Sequence, residues 1–436
     1  MRTSFSAALP IFLYVTNSLG QVEVRVKNTV IAGSPVPELH QEFLGGIPFA
    51  EPPIGALRFA LPKLKLDPSV DTLNATQYGP ACAQASEDCL TLNVVRPAGS
   101  NSTGSLPVMV WVYGGAFQNG ASSWYPADLI VAQSVSRGTP IIFVSLNYRL
   151  GPFGFPQGVE ATARGALNLG HKDVLAALQW IQENIAAFGG DKDRVTVFGD
   201  ILVSSVPECA GSPNNTFDCL RFANAEAILN ATESVYATYS QIAFSPVIDG
   251  PGGIIPALPS ELHAEGRFPH IPFITGTNLD EGTTFAPSTI SATEQIPDLF
   301  YADSESLKAE IIERYPDDPP SVRPLEPETR LNSSLPYLGV YHGSEVSYVF
   351  GAPSNGPNSV ALAEIIIDYW VSFATSLDPN DGKGDATRPV WKEYTPSSQI
   401  CSDVLQLHST NLTMIPDTYR KHQIEFLISH EKNLGH

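Results

Sequence analysis

Three stretches in the middle of the chain are predominantly apolar. Pro107 to Tyr113 (PVMVWVY) is rich in β-branched and aromatic residues and is closed by Gly114-Gly115. Ile141 to Leu146 (IIFVSL) ends at Asn147, and Arg194 to Phe198 (RVTVF) ends at Gly199. Runs dominated by apolar residues suit strands covered on both sides of a sheet, so all three are expected to be buried. Between Gly170 and Gly189 the rhythm changes. Val174, Leu175, Leu178, Ile181, Ile185 and Phe188 fall at helical spacing, and Gly189 supplies a stop. Strands alternating with a helix predict an α/β fold with a doubly wound, mostly parallel sheet.

Reactive groups in such sheets collect at the carboxyl ends of the strands. Two ends carry information. At Gly114-Gly115-Ala116-Phe117, small residues either let backbone N–H groups face a ligand oxygen or simply close a tight turn. The other end is Gly199-Asp200.

Charge narrows the partners. Lys and Arg number 25 against 45 Asp and Glu, a net charge of −20, which repels phosphate backbones and anionic headgroups. With 43% hydrophobic and 16% charged residues, the 436-residue chain has ample material for a large core. The N-terminus reads as an address: Arg2, the apolar run Ala7 to Val15, then Ser18 and Gly20 before Gln21 form a secretory signal over residues 1–20. No later run is expected to reach membrane-spanning length. Sequons at Asn74, Asn101, Asn214, Asn230, Asn332 and Asn411 agree with export. So do the close pairs Cys82 with Cys89 and Cys209 with Cys219, which read as small-loop disulfides, leaving Cys401 as a lone thiol. No Cys or His cluster has zinc spacing, so no metal is expected.

Longer blocks then resemble the type-B carboxylesterase and lipase family, the cholinesterase-like α/β-hydrolases, and fungal secreted lipases and esterases above all. They include GIPFAEPPIGALRF (Gly46 to Phe59), SEDCLTLNVVRP (Ser86 to Pro97), PVMVWVYGGAFQNG (Pro107 to Gly120) and LNYRLGPFGF (Leu146 to Phe155). Further along stand the helical block from Ala166 to Asp200, TGTNLDEGTTF (Thr275 to Phe285), LGVYHGSEVSYVFG (Leu338 to Gly351) and IIDYWVSFATSLDPN (Ile366 to Asn380). The resemblance implies one α/β-hydrolase domain over residues 21–436 and hydrolysis of small-molecule or lipid esters without a cofactor. The mechanism would be an acyl-enzyme one, with a Ser–His–Glu triad. It makes His342 the base, Glu281 the acid that orients it, and Gly115 and Ala116 the oxyanion donors.

The nucleophile has no counterpart. The family's strand runs into a Gly-x-Ser-x-Gly elbow, but here Gly199-Asp200 is followed by Ile201-Leu202-Val203-Ser204-Ser205-Val206-Pro207. No Gly-x-Ser-x-Gly occurs anywhere in the chain. Val203 and Val206 would resist the strained turn that Ser204 or Ser205 would need. The elbow, its helix and an adjoining strand are therefore expected to be missing. Two further places look cut: the short link between Cys82 and Cys89, where family lipases carry a lid, and the Pro-rich stretch after Asp318. The chain as written is expected to be inactive. The alternatives are a non-catalytic secreted binding member of the family and a mis-spliced product. Trp124, Tyr125 and Phe153 are candidates for an acyl pocket.

Overall fold

The computed structural model describes residues 22–82, 86–199, 225–226, 228–229, 232, 244–285, 305–315, 339–353, 356–395 and 402–430. The segment 1–20, the Asp200 junction with Ser204 and Ser205, Cys209, Cys219, Cys401, Asn214, Asn230 and Asn332 lie outside these residues.

Eight strands form the main sheet: β1 (Val22–Val26), β2 (Thr29–Val36), β3 (Gln41–Pro48), β4 (Thr72–Asn74), β5 (Thr91–Pro97), β6 (Leu106–Val112), β7 (Ile142–Leu146) and β8 (Gly190–Gly199). Their order is β1-β2-β3-β5-β7-β6-β8, with β4 beside β2. The predicted parallel portion is β7-β6-β8, in the register Val110↔Val144 and Val112↔Gly199. The other strands on this path join antiparallel, so the sheet is mixed. Short links permit that: only Lys27 and Asn28 separate β1 from β2, whereas parallel neighbours need a long crossover.

The first two apolar runs are buried as expected. In β6, Val108 and Val110 are as inaccessible as Met109 and Trp111, residues of opposite parity, so both faces of the strand are covered. The third run departs from expectation. Val197 of β8 is 42% exposed, because β8 ends the strand order among the described residues, with β6 as its partner.

The predicted helix is α4 (Leu169–Asn184), preceded by α1 (Asp128–Ser136), α2 (Gly151–Gly154) and α3 (Val159–Ala163). A 3-10 turn over Ile185–Phe188 and a left-handed Gly189 finish α4. Its buried stripe is Asp173, Ala176, Ala177, Trp180, Ile181 and Asn184. Leu175, expected inside, points to solvent. The small alanines admit close sheet contact, and Trp180 supplies the bulk.

The helix Pro357–Ser376 corrects another expectation. By length and composition it is apolar enough to cross a membrane, yet 56% of that window is buried inside the protein. Arg137, at the C-terminal cap of α1, forms an ion pair with Asp368 of this helix at 3.2 Å, and Gln133 donates to the Glu364 carbonyl at 2.6 Å. Cys82 and Cys89 form the expected disulfide, with Cα atoms 5.1 Å apart. Asn74, Asn101 and Asn411 are exposed.

Candidate active site

Glu281 and His342 stand 61 residues apart in sequence on two loops that the fold joins. The join is a short parallel bridge between Asp280 and Tyr341. The Asp280 N–H donates to the Val340 carbonyl at 3.0 Å, and the Val340 N–H donates to the Asp280 Oδ2 at 2.8 Å. Glu281 then opens a 3-10 turn through Thr284. On the other loop Gly343 takes φ +76°, which turns the chain into the helix Val346–Val349.

That frame sets Glu281 Oε2 2.7 Å from His342 Nδ1. A carboxylate accepts, so Nδ1 carries the proton and Nε2 is the basic nitrogen. The other carboxylate oxygen is held too: the Asn278 N–H donates to Glu281 Oε1 at 2.7 Å. The Phe285 ring lies 5.1 Å from the imidazole and limits its tilt. Both groups are partly open, at 23% side-chain exposure for His342 and 36% for Glu281.

The oxyanion candidates lie beyond the end of β6. Gly115 has φ +124°, and an added Cβ there would collide with the Asn119 carbonyl. Ala116 and Phe117 follow at φ 52° and 62°, a left-handed pair costing about 1–2 kcal/mol per residue. Packing holds them there. The Phe117 carbonyl accepts from the Gly151 N–H at 2.7 Å, and its ring sits 4.9 Å from Phe155 and 5.7 Å from His171. Gln118 donates to the Phe244 carbonyl at 2.8 Å. Gly115 and Ala116 are exposed. Among the described residues neither of their N–H groups donates to a protein acceptor. Such donors suit a developing oxyanion.

Residue Gly199 pairs with Val112 on the neighbouring strand, and an added Cβ would strike the Val112 carbonyl. The β8 terminus thus stands beside the strand that carries the Gly115–Ala116 turn. The His342 loop reaches the same strand through Phe350, whose ring packs edge-on to Trp111 at 5.0 Å.

The proposed acyl-pocket aromatics have different surroundings. Trp124 is 61% exposed, Tyr125 packs on Trp111 at 5.1 Å, and Phe153 stacks on Phe59 at 5.9 Å. The first is a surface side chain, the second is half-buried and the third is buried. Sequence reasoning missed the pair Arg149–Asp173. Asp173 is fully buried and accepts from the Arg149 backbone N–H, Nε and Nη2 at 3.0, 2.8 and 2.7 Å. It ties α4 to the segment after β7. A lone acid on the inner face of a predicted helix was the available signal. Among the described residues no group of three or more His, Cys, Asp or Glu side chains is placed to hold a metal.

The described residues thus hold a hydrogen-bonded His–Glu pair on two joined loops and a strand-end turn with exposed N–H groups. The chain belongs to the carboxylesterase family, whose model matches residues 16–201, 203–325 and 314–427. It is 30% identical to Lipase 2 of Geotrichum candidum, over 90% of this chain and 92% of the relative. Identity is also 30% to Secreted lipase 1 of Botryotinia fuckeliana (strain B05.10), covering 89% of each. The crystal structure of Aspergillus niger EstA superposes with a TM-score of 0.78, at 22% identity, over 95% of this chain and 99% of that one. That likeness shows the α/β-hydrolase fold. Family and relatives support carboxylic ester hydrolysis as the chemistry of the lineage.

Proposed function

We propose that the site is the acid–base and oxyanion part of a secreted carboxylic ester hydrolase. The carrying observation is the 2.7 Å bond between Glu281 and His342. In this mechanism a serine attacks the ester carbonyl while His342 Nε2 takes its proton. The proton then passes to the leaving alcohol, and water, activated by the same nitrogen, releases the acid. Glu281 stays ionised and holds the tautomer, and the Gly115 and Ala116 N–H groups donate to the tetrahedral oxyanion. No cofactor takes part.

The serine is the missing component. Ile201 follows Gly199-Asp200, and the sequence holds no Gly-x-Ser-x-Gly. We therefore infer that this 436-residue chain does not turn over esters by the triad route. Removing the serine of a comparable triad costs about a million-fold in turnover, roughly 8 kcal/mol.

Two findings favour loss of an internal segment over substitution of the serine. The family match breaks between residues 201 and 203 and restarts at residues 314–325, close to two places where the sequence blocks jump. The alignment with the Geotrichum lipase spans 537 positions, but 90% of 436 is about 392 residues. The difference, about 145 positions, faces no residue of this chain. The short Cys82–Cys89 link favours short- or medium-chain esters over lid-dependent lipids. The leader and the exposed sequons Asn74, Asn101 and Asn411 favour export as a glycoprotein.

Two measurements test this. Transcript reads across Asp200–Ile201 are expected to carry additional codons for a Ser-x-Gly elbow. The purified 436-residue protein is expected to show no His342-dependent hydrolysis of p-nitrophenyl butyrate. Turnover abolished by His342→Ala in that protein would sink the proposal. A genuine junction in a folded, exported protein would instead favour a non-catalytic binding role.

A further inference from the structure

We infer that Asn278 is the positioning residue that holds both halves of the His342–Glu281 pair. The inference rests on reading that pair as the acid–base part of the site. Asn278 is half-buried, three residues before Glu281. Its backbone N–H donates to Glu281 Oε1 at 2.7 Å, leaving Oε2 to face His342 Nδ1. Oε1 also accepts from the Thr277 hydroxyl at 3.3 Å, so the two oxygens have separate partners, which fixes the rotation of the group.

The side chain completes the arrangement. Asn278 Nδ2 donates to the Tyr341 carbonyl at 3.1 Å, the peptide bonded directly to the nitrogen of His342. The same nitrogen donates to Glu345 Oε2. An amide has two hydrogens on Nδ2, and both point to the histidine loop. One residue therefore fixes the acid through its backbone and the base through its side chain.

Its chemistry is specific. Nδ2 meets a carbonyl and a carboxylate, both acceptors, and a second carboxylate lies on the backbone side. An aspartate of the same shape would put acceptor against acceptor and add a third negative charge, so the asparagine is required as a neutral donor.

The test uses the full chain labelled at His342 and reads the imidazole tautomer by long-range proton–nitrogen NMR. The parent protein is expected to show one tautomer, protonated at Nδ1, and Glu281→Gln should abolish that single pattern. Asn278→Asp should also lose it, and Asn278→Ala should give a mixture of tautomers with the near-UV circular dichroism unchanged. If Asn278→Asp does not fold, Asn278→Ala decides, because it removes the side-chain donors to the histidine loop without adding charge while the backbone N–H to Glu281 remains. Parent-like spectra for the Asn278 variants alongside an altered Glu281→Gln spectrum would overturn this inference and leave the pair standing. An unaltered Glu281→Gln spectrum would overturn both. Unfolding of Asn278→Ala would assign the residue to the scaffold and overturn it as well.

Discussion

The two sides of the site are supported by different physics. The oxyanion turn projects from β6, whose Val108 and Val110 are fully inaccessible, and the Phe117 ring is wedged into the interior. The Glu281 side stands on loops where neighbouring Leu279 and Phe285 are 45% and 59% exposed. Dense packing holds a strained turn with few polar contacts, since neighbouring atoms block every alternative. An exposed loop lacks that wall and must fix each carboxylate oxygen with its own donor. Damage on the first side should therefore be read as lost stability. Damage on the second should be read as lost geometry at nearly constant stability.

The largest contrast is expected at the charges. Asp173→Asn leaves the Arg149 guanidinium buried with an incomplete partner. Breaking such a pair costs about 3–5 kcal/mol. Glu281→Gln, at a partly open pair, should cost no more than about 1 kcal/mol. Urea denaturation of the two variants measures both. Equal losses would break the contrast, because the loop pair would then bear on the whole fold.

Glycines extend the contrast at smaller scale. Gly115→Ala forces a Cβ into the Asn119 carbonyl at φ +124° and should cost about 1–3 kcal/mol. In the other half, Gly282 has nothing within 4 Å of where a Cβ would sit. Gly282→Ala should stay within about 0.5 kcal/mol. Thermal melts of the pair would test whether the Glu281 turn is as open as its geometry.

The same division governs what the sequence alone reveals. β6 and β7 were legible because a strand buried on both faces must be apolar at every position, and Gly189 marked the end of α4. The outer half of β8 was misread because periodicity records a residue's preference for burial and not the presence of a neighbour to cover it. Leu175 fails for a related reason: stripe width is set by how closely a helix approaches its sheet, and Ala176 and Ala177 allow a close approach. Glu281 and His342 carry no periodic signal and were found only by resemblance. Asn278 was not found, since a loop residue that acts through its backbone N–H looks like any other polar residue. The left-handed Ala116 and Phe117 were also invisible, because neither residue type favours positive φ.

The smallest predicted effect lies under the oxyanion turn. His171 meets Phe117 and Phe155 edge-on, at 5.7 and 5.5 Å, and its Nε2 is buried with no hydrogen-bond partner among the described residues. Burial pushes its pKa below the ordinary 6.5, and the charge of Asp249 offsets only part of that. Just below pH 6.5, therefore, the native ring takes up a proton less readily than the unfolded chain does. Below that pH the unfolded state binds more protons, so this stabilising contribution is complete above pH 6.5 and is lost as pH falls. A single proton limits the slope to about 1.4 kcal/mol per pH unit. His171→Leu should shrink the difference in urea stability between pH 7 and pH 5, by no more than that one-proton slope allows. The other histidines contribute equally to parent and variant and cancel. An unchanged difference would mean that the ring is hydrated and charged in the folded protein, and that the turn above it is supported less by dry packing than its left-handed backbone requires.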